Sequence, residues 1–530
     1  MQPYALTIDK FLDHAAKWSG DREIVTARAG QPSLRIGYAD LRARSNRLSG
    51  TFAALGLKSG DRVGTLAWNT QHHLEMYYAL MGAGLVCHTL NPRLTAANLA
   101  AMINEAENRA LAVASNLAPL LTELAPLCPN LEHVILLDEH LADAGILRGH
   151  KARVWGLEAL LETHGTPIRW GGFDEATPAG LCYTSGTTGS PKGVLYTHRS
   201  NYLHTLRALQ ADAIALTGSD AVLIAVPMFH ANAWGLPFAA PAVGAKLVLP
   251  GRHADGANLA AVMRDEAVNV AAGIQTIWLS LLDHLDAVDG ELPALKRILI
   301  GGANCPDALI RRMEKRLGVR VQTSWGMTEL SPVGTISSPE APPTDTRASG
   351  RPPVGLDLVL TDAAGEVLVR QRGVVGHLKA KGASVVDRYF KAETGALDAE
   401  GYFDTGDLAS IDEAGNLTIC GRSKDLIKSG GEWINPVEIE DIVGSHPGVR
   451  LAAVIARPDA KWGERPVLIV ETGQGLEVDP EALLELLRGK VAGWWIPDQI
   501  VRIDAMPLAA TGKIDKNQLR ADYANGKISA

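Results

Sequence analysis

Short β-rich runs alternate along this chain with longer stretches whose apolar positions recur every three or four residues. The short runs, at 63–68, 133–137, 221–226, 246–249, 297–300 and 319–324, read as strands. The longer stretches at 38–55 and 72–82 read as amphipathic helices between them. That alternation predicts an α/β fold, with helices covering mainly parallel sheets. From Ser331 to Gly355 the text turns rich in Pro, Ser and Gly and reads as a long irregular connection. Short strand-like pieces at 356–360, 365–369, 376–382 and 415–422 follow, predicting a small β subdomain that ends near Gly421. The remainder mixes strands (451–457, 465–472) with helices (437–446, 480–490), so the main boundary is expected at Arg422–Asp425. The expected division is thus a large lobe, 1–421, of two β/α subdomains plus a small β-barrel-like one, and an α+β domain, 422–530.

Length agrees with subdivision, because 530 residues exceed what one hydrophobic core normally organises. Apolar residues at 46% and charged residues at 21% exclude a disordered or fibrous chain. A net charge of −8 argues against general affinity for nucleic acid or anionic membrane. Any polyphosphate must be held by a local site. The five cysteines are scattered, without a CxxC pair or zinc spacing. The opening residues lack the apolar core of a signal peptide, and no stretch is long enough to span a membrane. A cytoplasmic protein is the expectation.

The strongest local signal is LCYTSGTTGSPKGVLYTHRS, Leu181–Ser200. Glycines let backbone N–H groups approach a ligand and turn towards it. Thr184, Ser185, Thr187, Thr188 and Ser190 add hydroxyls, Gly186 and Gly189 give the bends, and Lys192 adds a cation. This is a polyphosphate cradle by composition. It is not the GxxxxGK[ST] loop, because Gly186, Gly189 and Lys192 are wrongly spaced. A solvent-exposed turn is the plainer alternative.

Four further motifs accompany it in order: SWGMTE (Ser324–Glu329), YFDTGD (Tyr402–Asp407), GRSKDLIKSGGEWINPVEIE (Gly421–Glu440) and PLAATGKIDKNQLR (Pro507–Arg520). With YTSGTTGSPKGV they closely resemble the acyl-adenylate-forming superfamily, which includes acyl-CoA synthetases, luciferases and adenylation domains of peptide synthetases. The resemblance runs over nearly the whole chain. It implies two half-reactions: a carboxylate attacks the α-phosphate of ATP to give acyl-AMP and pyrophosphate, then a thiol takes the acyl group. A carboxylate is already ionised at neutral pH, so the first step needs cations and oriented donors and no general base.

Mapped residue by residue, the resemblance gives Lys513 as the mobile cation bridging carboxylate and α-phosphate. Thr328 would touch the α-phosphate. Glu329 would help hold Mg²⁺, with Thr188 beside it. Asp407 would accept from the ribose hydroxyls, with Arg422 reaching the same sugar. Gly301, Gly302 and Ala303 occupy the adenine-side turn, with Ser324, Trp325, Gly326 and Met327 opposite, Trp325 being the aromatic neighbour of the base. Lys424 falls at the hinge of a rotating C-terminal domain. Ser429, Gly430, Gly431 and Trp433 fall on the face that would admit the pantetheine arm of coenzyme A.

VPMFHANAWGLPFAAP, Val226–Pro241, matches the acyl-side motif. Phe229, Trp234 and Phe238 would line or gate an apolar pocket completed by Gly301, Gly326 and Val333, with His230 against the acyl carboxylate. Amino-acid-activating relatives carry an acid just after this Phe, and here that position is His230, which argues against an α-amino acid. HTLNPRL (His88–Leu94), FHANAW and IKSGGEWI, with Glu432 and Trp433, resemble the branch activating medium- to long-chain fatty acids and methylthio-propionate-type acids. Aryl-acid–CoA ligation, loading of a carrier protein, oxygenation of the luciferase kind and nucleotide binding without catalysis are the alternatives. ATP, Mg²⁺ and coenzyme A are the implied small molecules, and a homodimer is the assembly common in the superfamily.

Overall fold

The structure, a computed structural model, describes residues 1–138, 147, 150–184, 191–473 and 476–529. Two large sheets dominate it. The first runs Arg153–Gly156, His133–Leu136, Ala110–Val113, Arg62–Leu66, Val86–Thr89, Pro178–Tyr183 and Gly193–Thr197. All its neighbours are parallel except the last pair. The second runs Val333–Ile336, Arg320–Gly326, Arg297–Ile300, Val270–Gly273, Ala221–Ile224, Lys246–Leu249, Glu23–Arg28 and Gln31–Gly37, parallel within and antiparallel at both edges. The inner strands, such as Ala110–Val113 and Ala221–Ile224, are buried on both faces, which is why their sequences lack alternation. Several helices between them are capped by a side chain at their N-terminus. Thr70 accepts the N–H of His73, and Thr197 and Ser200 form a reciprocal capping box.

Leu356–Thr361, Val375–Gly382, Phe403–Ile411 and Leu417–Arg422 form a four-stranded antiparallel sheet. A 3₁₀ turn, Ser423–Asp425, then leads into a five-stranded sheet built from Ile427–Ser429, Glu432–Ile434, Val449–Asp459, Gly463–Thr472 and Gln499–Ile503. Two expectations needed correction. Residues 365–369 form no strand, only a single bridge between Thr361 and Val367, because Val367 and Val369 point into solvent and gain nothing from pairing. The 331–355 connection is not irregular throughout: Val333–Ile336 folds back as an edge strand along Ser324–Gly326.

All five cysteines are free, and four of them, Cys87, Cys128, Cys182 and Cys305, are buried. No helix among the described residues is long and apolar enough to cross a membrane.

Candidate active site

In a parallel α/β sheet the loops leaving the carboxyl ends of the strands converge on one face, and ligands bind there. Here the loops after Ala221–Ile224, Arg297–Ile300 and Arg320–Gly326 meet the C-terminal residues 509–517 across one deep cleft. It is lined by Thr184, His230, Trp234, Gly302, Ala303 and Ser324–Glu329 from the large sheets. Val333, Asp407, Arg422, Lys424 and Lys513 complete it.

Lys513 rides on a tight turn closed by the Ala509 N–H on its own carbonyl at 2.7 Å and by a bridge between Leu508 and Ile514. The tip of that turn is gripped from the large lobe. Asn91 and Arg93 donate to the Ala510 carbonyl at 3.3 and 3.2 Å, and the Thr276 hydroxyl donates to the Gly512 carbonyl at 3.3 Å. Gly512 is required there: its φ is +83° and a Cβ would fall 2.4 Å from Ile274. The lysine stem passes Gly302, where an added Cβ would lie 3.5 Å from its Cε. Burial, with Arg422 nearby, lowers the ammonium group to about 8, against the opposing pull of Asp407. His230 faces the same lysine. Burial first, and the lysine's charge second, push its imidazole down to about 4, so the ring is neutral at pH 7.

Asp407 is held on both oxygens. Trp325 donates its indole N–H to Oδ2 at 2.8 Å and Arg422 forms an ion pair with Oδ1, its Nε 2.9 Å away, while the Arg422 Nη1 donates to the Thr405 carbonyl at 2.9 Å. Burial raises this carboxyl despite those donors. Trp325, expected beside an adenine ring, thus has a second job. Its ring is buried in the core of the small sheet and its N–H orients Asp407.

Thr328 and Glu329 stand buried on a 3₁₀ turn whose first carbonyl accepts from the Tyr196 hydroxyl at 2.9 Å. Glu329 Oε1 accepts from the Tyr389 hydroxyl at 2.8 Å, and the Lys192 ammonium lies 4.8 Å from the Tyr389 ring centre. Among the described residues no three His, Cys, Asp or Glu side chains gather as a metal cage. One carboxylate fits Mg²⁺, which takes few protein oxygens alongside phosphates and water. Thr184 closes the base of the Gly-rich loop through its N–H to the Lys192 carbonyl at 2.9 Å. Ser185, Gly186, Thr187, Thr188 and Gly189, expected in phosphate binding, lie outside the described residues.

The acyl-side motif contains a run of left-handed backbone: φ is +44° at Ala231, +51° at Asn232, +46° at Ala233, +59° at Trp234 and +76° at Gly235. Each non-glycine residue there costs roughly 1–2 kcal/mol, so the surrounding structure must hold the turn. Cys182 Sγ accepts the Ala231 N–H at 3.3 Å. Asn69 donates to the carbonyls of Ile224 and Val226 at 2.8 and 2.7 Å. The turn aims Trp234 across the cleft, so that a Cβ on Gly301 would lie 3.4 Å from its ring.

The sequence-predicted residues therefore divide. Lys513, Asp407, Arg422, Thr328, Glu329, His230, Trp234, Val333, Ser324–Met327, Gly302, Ala303, Thr184 and Lys424 share the cleft. Phe229 is buried behind it, edge-on to Trp68 at 6.1 Å. Phe238 is core, edge-on to Tyr78. Gly301 sits under Trp234 with Ser324 Oγ against it, too close for any Cβ. Ser429, Gly430, Gly431 and Trp433 are not brought to the cleft. Ser429 accepts from Arg465 at 3.3 Å, Gly430 packs on Trp462, and Trp433 is half exposed.

Sequence reasoning gave no role to several residues that hold this arrangement: Tyr389, Asn91, Arg93 and Thr276, and the trio Asn304, Arg347 and Asp441. Asn304 donates to Asp441 Oδ1 at 2.5 Å and Arg347 approaches its other oxygen at 3.4 Å, tying the Pro436–Gly444 helix to the large lobe. HTLNPRL carried the only signal for any of these, and it marks Asn91 and Arg93 without saying what they touch.

Known proteins resemble this chain along nearly its whole length. Family models described as "AMP-binding enzyme" and "AMP-binding enzyme C-terminal domain" match residues 11–390 and 438–513. A 3-methylmercaptopropionyl-CoA ligase of Ruegeria lacuscaerulensis is 41% identical, covering 99% of this chain and 98% of its own. A medium-chain-fatty-acid–CoA ligase of Ectopseudomonas oleovorans is 39% identical over 98% of this chain and 96% of its own. O-succinylbenzoate coenzyme A synthetase of Bacillus subtilis, solved with ATP and a magnesium ion, is 25% identical with a TM-score of 0.80, covering 96% of this chain and 99% of that one.

Proposed function

The chain belongs to the AMP-binding enzyme family, as an acid–thiol ligase that adenylates a carboxylic acid with ATP and forms its coenzyme A thioester; from that premise we propose the acid it takes and the residues that do the work. The acid is a medium- to long-chain aliphatic acid or an alkylthio-propionate, with no charge beyond its carboxylate. Val226, Ala231, Trp234 and Val333 line the acyl side of the cleft, and two relatives near 40% identity are named for such acids.

The observation that carries the reading is Lys513, inserted beside His230, Gly302, Asp407 and Arg422. When the substrate carboxylate attacks the α-phosphate, negative charge gathers between the two groups and the bond to pyrophosphate breaks. Lys513 supplies the cation there. Neutral His230 orients the carboxylate without competing for it, Thr328 binds an α-phosphate oxygen, and Asp407 accepts from the ribose. Mg²⁺, held by Glu329 and the phosphates, would neutralise charge on the pyrophosphate.

The first half-reaction needs Lys513 charged. Its folded-state value is about 8, so the protonated form prevails below that pH and is lost above it. The expected kcat/KM for ATP in acid-dependent pyrophosphate release is flat below about pH 8 and falls about tenfold per unit beyond. In Lys513→Arg the falling limb should vanish from the range, since guanidinium stays charged. A wild-type profile flat to pH 9.5 would count against the role.

Residues 1–421 are read as the adenylating lobe and 422–530 as a domain turning about Lys424, which withdraws Lys513 and brings Ser429–Gly431 and Trp433 to the acyl-AMP. In this reading Asn304, Arg347 and Asp441 latch the adenylating arrangement. Asp441→Ala should slow pyrophosphate release about 3–10-fold, the worth of one or two hydrogen bonds, and leave thioester formation from supplied acyl-AMP unchanged or faster. Equal slowing of both half-reactions would dismiss the latch.

The deciding experiment is pyrophosphate release with Mg-ATP across acids from propionate to palmitate, with methylthio-propionate, benzoate and cinnamate, with and without coenzyme A. An aliphatic or alkylthio acid giving both pyrophosphate and thioester supports the reading. Preference for an aryl acid would replace the proposed acid class.

A further inference from the structure

The helix His198–Ala208 lies behind the acyl side of the cleft, and among its buried polar side chains His204 and Arg207 stand one turn apart. Both act on Val333. The ring nitrogen Nε2 of His204 accepts the Val333 N–H at 3.0 Å, and Arg207 donates to the Val333 carbonyl at 2.6 Å. Arg207 also donates to Ser384 Oγ at 2.8 Å, and the Ser384 carbonyl accepts from Ser331 at 2.9 Å. The backbone of one cleft-lining residue is thus fixed at both its N–H and its C=O by side chains of a single helix.

The other edge of the His204 ring meets the opposite wall. A Cβ on Gly235 would fall 2.9 Å from both Cε1 and Nδ1 of His204. Gly235 closes the left-handed run that aims Trp234 into the cleft, and it has φ +76° itself. Accepting from Val333 through Nε2 places the neutral ring's proton on Nδ1, which has no hydrogen-bond partner among the described residues. A second proton would set N–H against N–H, and burial with Arg207 alongside disfavours it.

We propose that His204 is a positioning residue for acyl selection, holding Val333 on one side and abutting Gly235 on the other, so that this one ring sets the gap between the Val333 and Trp234 walls. The inference rests on the reading of those walls as the acyl pocket. His204 itself touches neither acid nor ATP. A shift of either wall by a fraction of an ångström changes which acid fits, and one methylene more or less is enough to alter kcat/KM by about tenfold or more.

The test compares wild type with His204→Phe, which keeps a ring but loses the acceptor, with His204→Gln, which keeps an acceptor on a slimmer side chain, and with Gly235→Ala. Straight-chain acids from propionate to palmitate are assayed by pyrophosphate release, giving kcat/KM for each acid and KM for ATP. Expected is an about tenfold change in the ratio of kcat/KM between long and short acids in His204→Phe, partial return in His204→Gln, and an unchanged KM for ATP. If His204→Phe does not fold, Gly235→Ala carries the test, because its methyl group drives the same two walls apart. Variants that keep the wild-type preference overturn the inference, as does a loss shared equally by every acid and by ATP. A wild type silent towards all these acids overturns the acyl-pocket reading first and this inference with it.

Discussion

Replacing Lys513 with alanine is expected to lower acid-dependent pyrophosphate release about 10²–10³-fold, the usual loss when a preorganised charge aimed at the transition state is removed. Arg422, the cation that shares the cleft beside it, is not free to substitute. Arg422 is committed to Asp407 and the Thr405 carbonyl, whereas Lys513 makes no ion pair within 4 Å among the described residues. Its turn is fixed by backbone carbonyls of Ala510 and Gly512, which the substitution leaves in place, so domain closure should survive. Thioester formation from supplied acyl-AMP should therefore stay within a few-fold of wild type, since the proposed rotation withdraws Lys513 in that step. Separate assays of the two half-reactions decide it. Equal loss in both would mean a general structural effect, and retention of most pyrophosphate release would remove Lys513 from the chemistry.

Asp407→Ala is the second large effect expected. The change deletes the carboxylate that accepts from Trp325 and pairs with Arg422, leaving a buried indole N–H without a partner. An orphaned buried donor costs about 1–3 kcal/mol. The Arg422 side chain is 43% exposed, so water recovers much of the lost ion pair and little should be added for it. The melting temperature should fall by about 2–12 °C, since about 1 kcal/mol shifts a large domain by 2–4 °C. ATP affinity should fall further, about 10²-fold, because the ribose loses a charged acceptor and Arg422 loses its tether. Calorimetric titration with ATP beside a melting curve distinguishes the two. A weakened fold with unchanged ATP affinity would leave Asp407 as scaffold only.

The ingredients of this site were largely legible in the chain, and its assembly was not. Largely apolar strands such as Ala221–Ile224 and Arg297–Ile300 are fixed by burial on both faces, a local property that the run of apolar residues reports well. Lys513, Asp407 and Glu329 stand in runs dense enough in Gly, Thr and charge to be singled out. His204 and Arg207 carried no such mark, because HRSNYLHTLRA reads as an ordinary polar helix and only tertiary packing turns its face inward. The Ala231–Trp234 run was illegible for a related reason. Alanine and tryptophan have no preference for positive φ, so neighbours such as Cys182 and Asn201 must impose it. The misplaced strand at 365–369 shows the opposite failure, in which valines suited to a sheet find no neighbour to pair with.

An enzyme whose second substrate is a thiol works in the presence of that thiol's disulfides, and the placement of its cysteines bears on how it withstands them. Exchange with a disulfide begins from a thiolate. Burial pushes Cys87 up to about 12 and Cys128 up to about 11, and raises Cys182, Cys305 and the partly exposed Cys420 as well. At neutral pH these sulfurs remain protonated, and most are sealed from solvent. Cys182, whose sulfur props the Ala231 turn, is thereby kept from mixed-disulfide formation. The acyl wall it supports should hold its shape while the ratio of coenzyme A to its oxidised dimer swings widely.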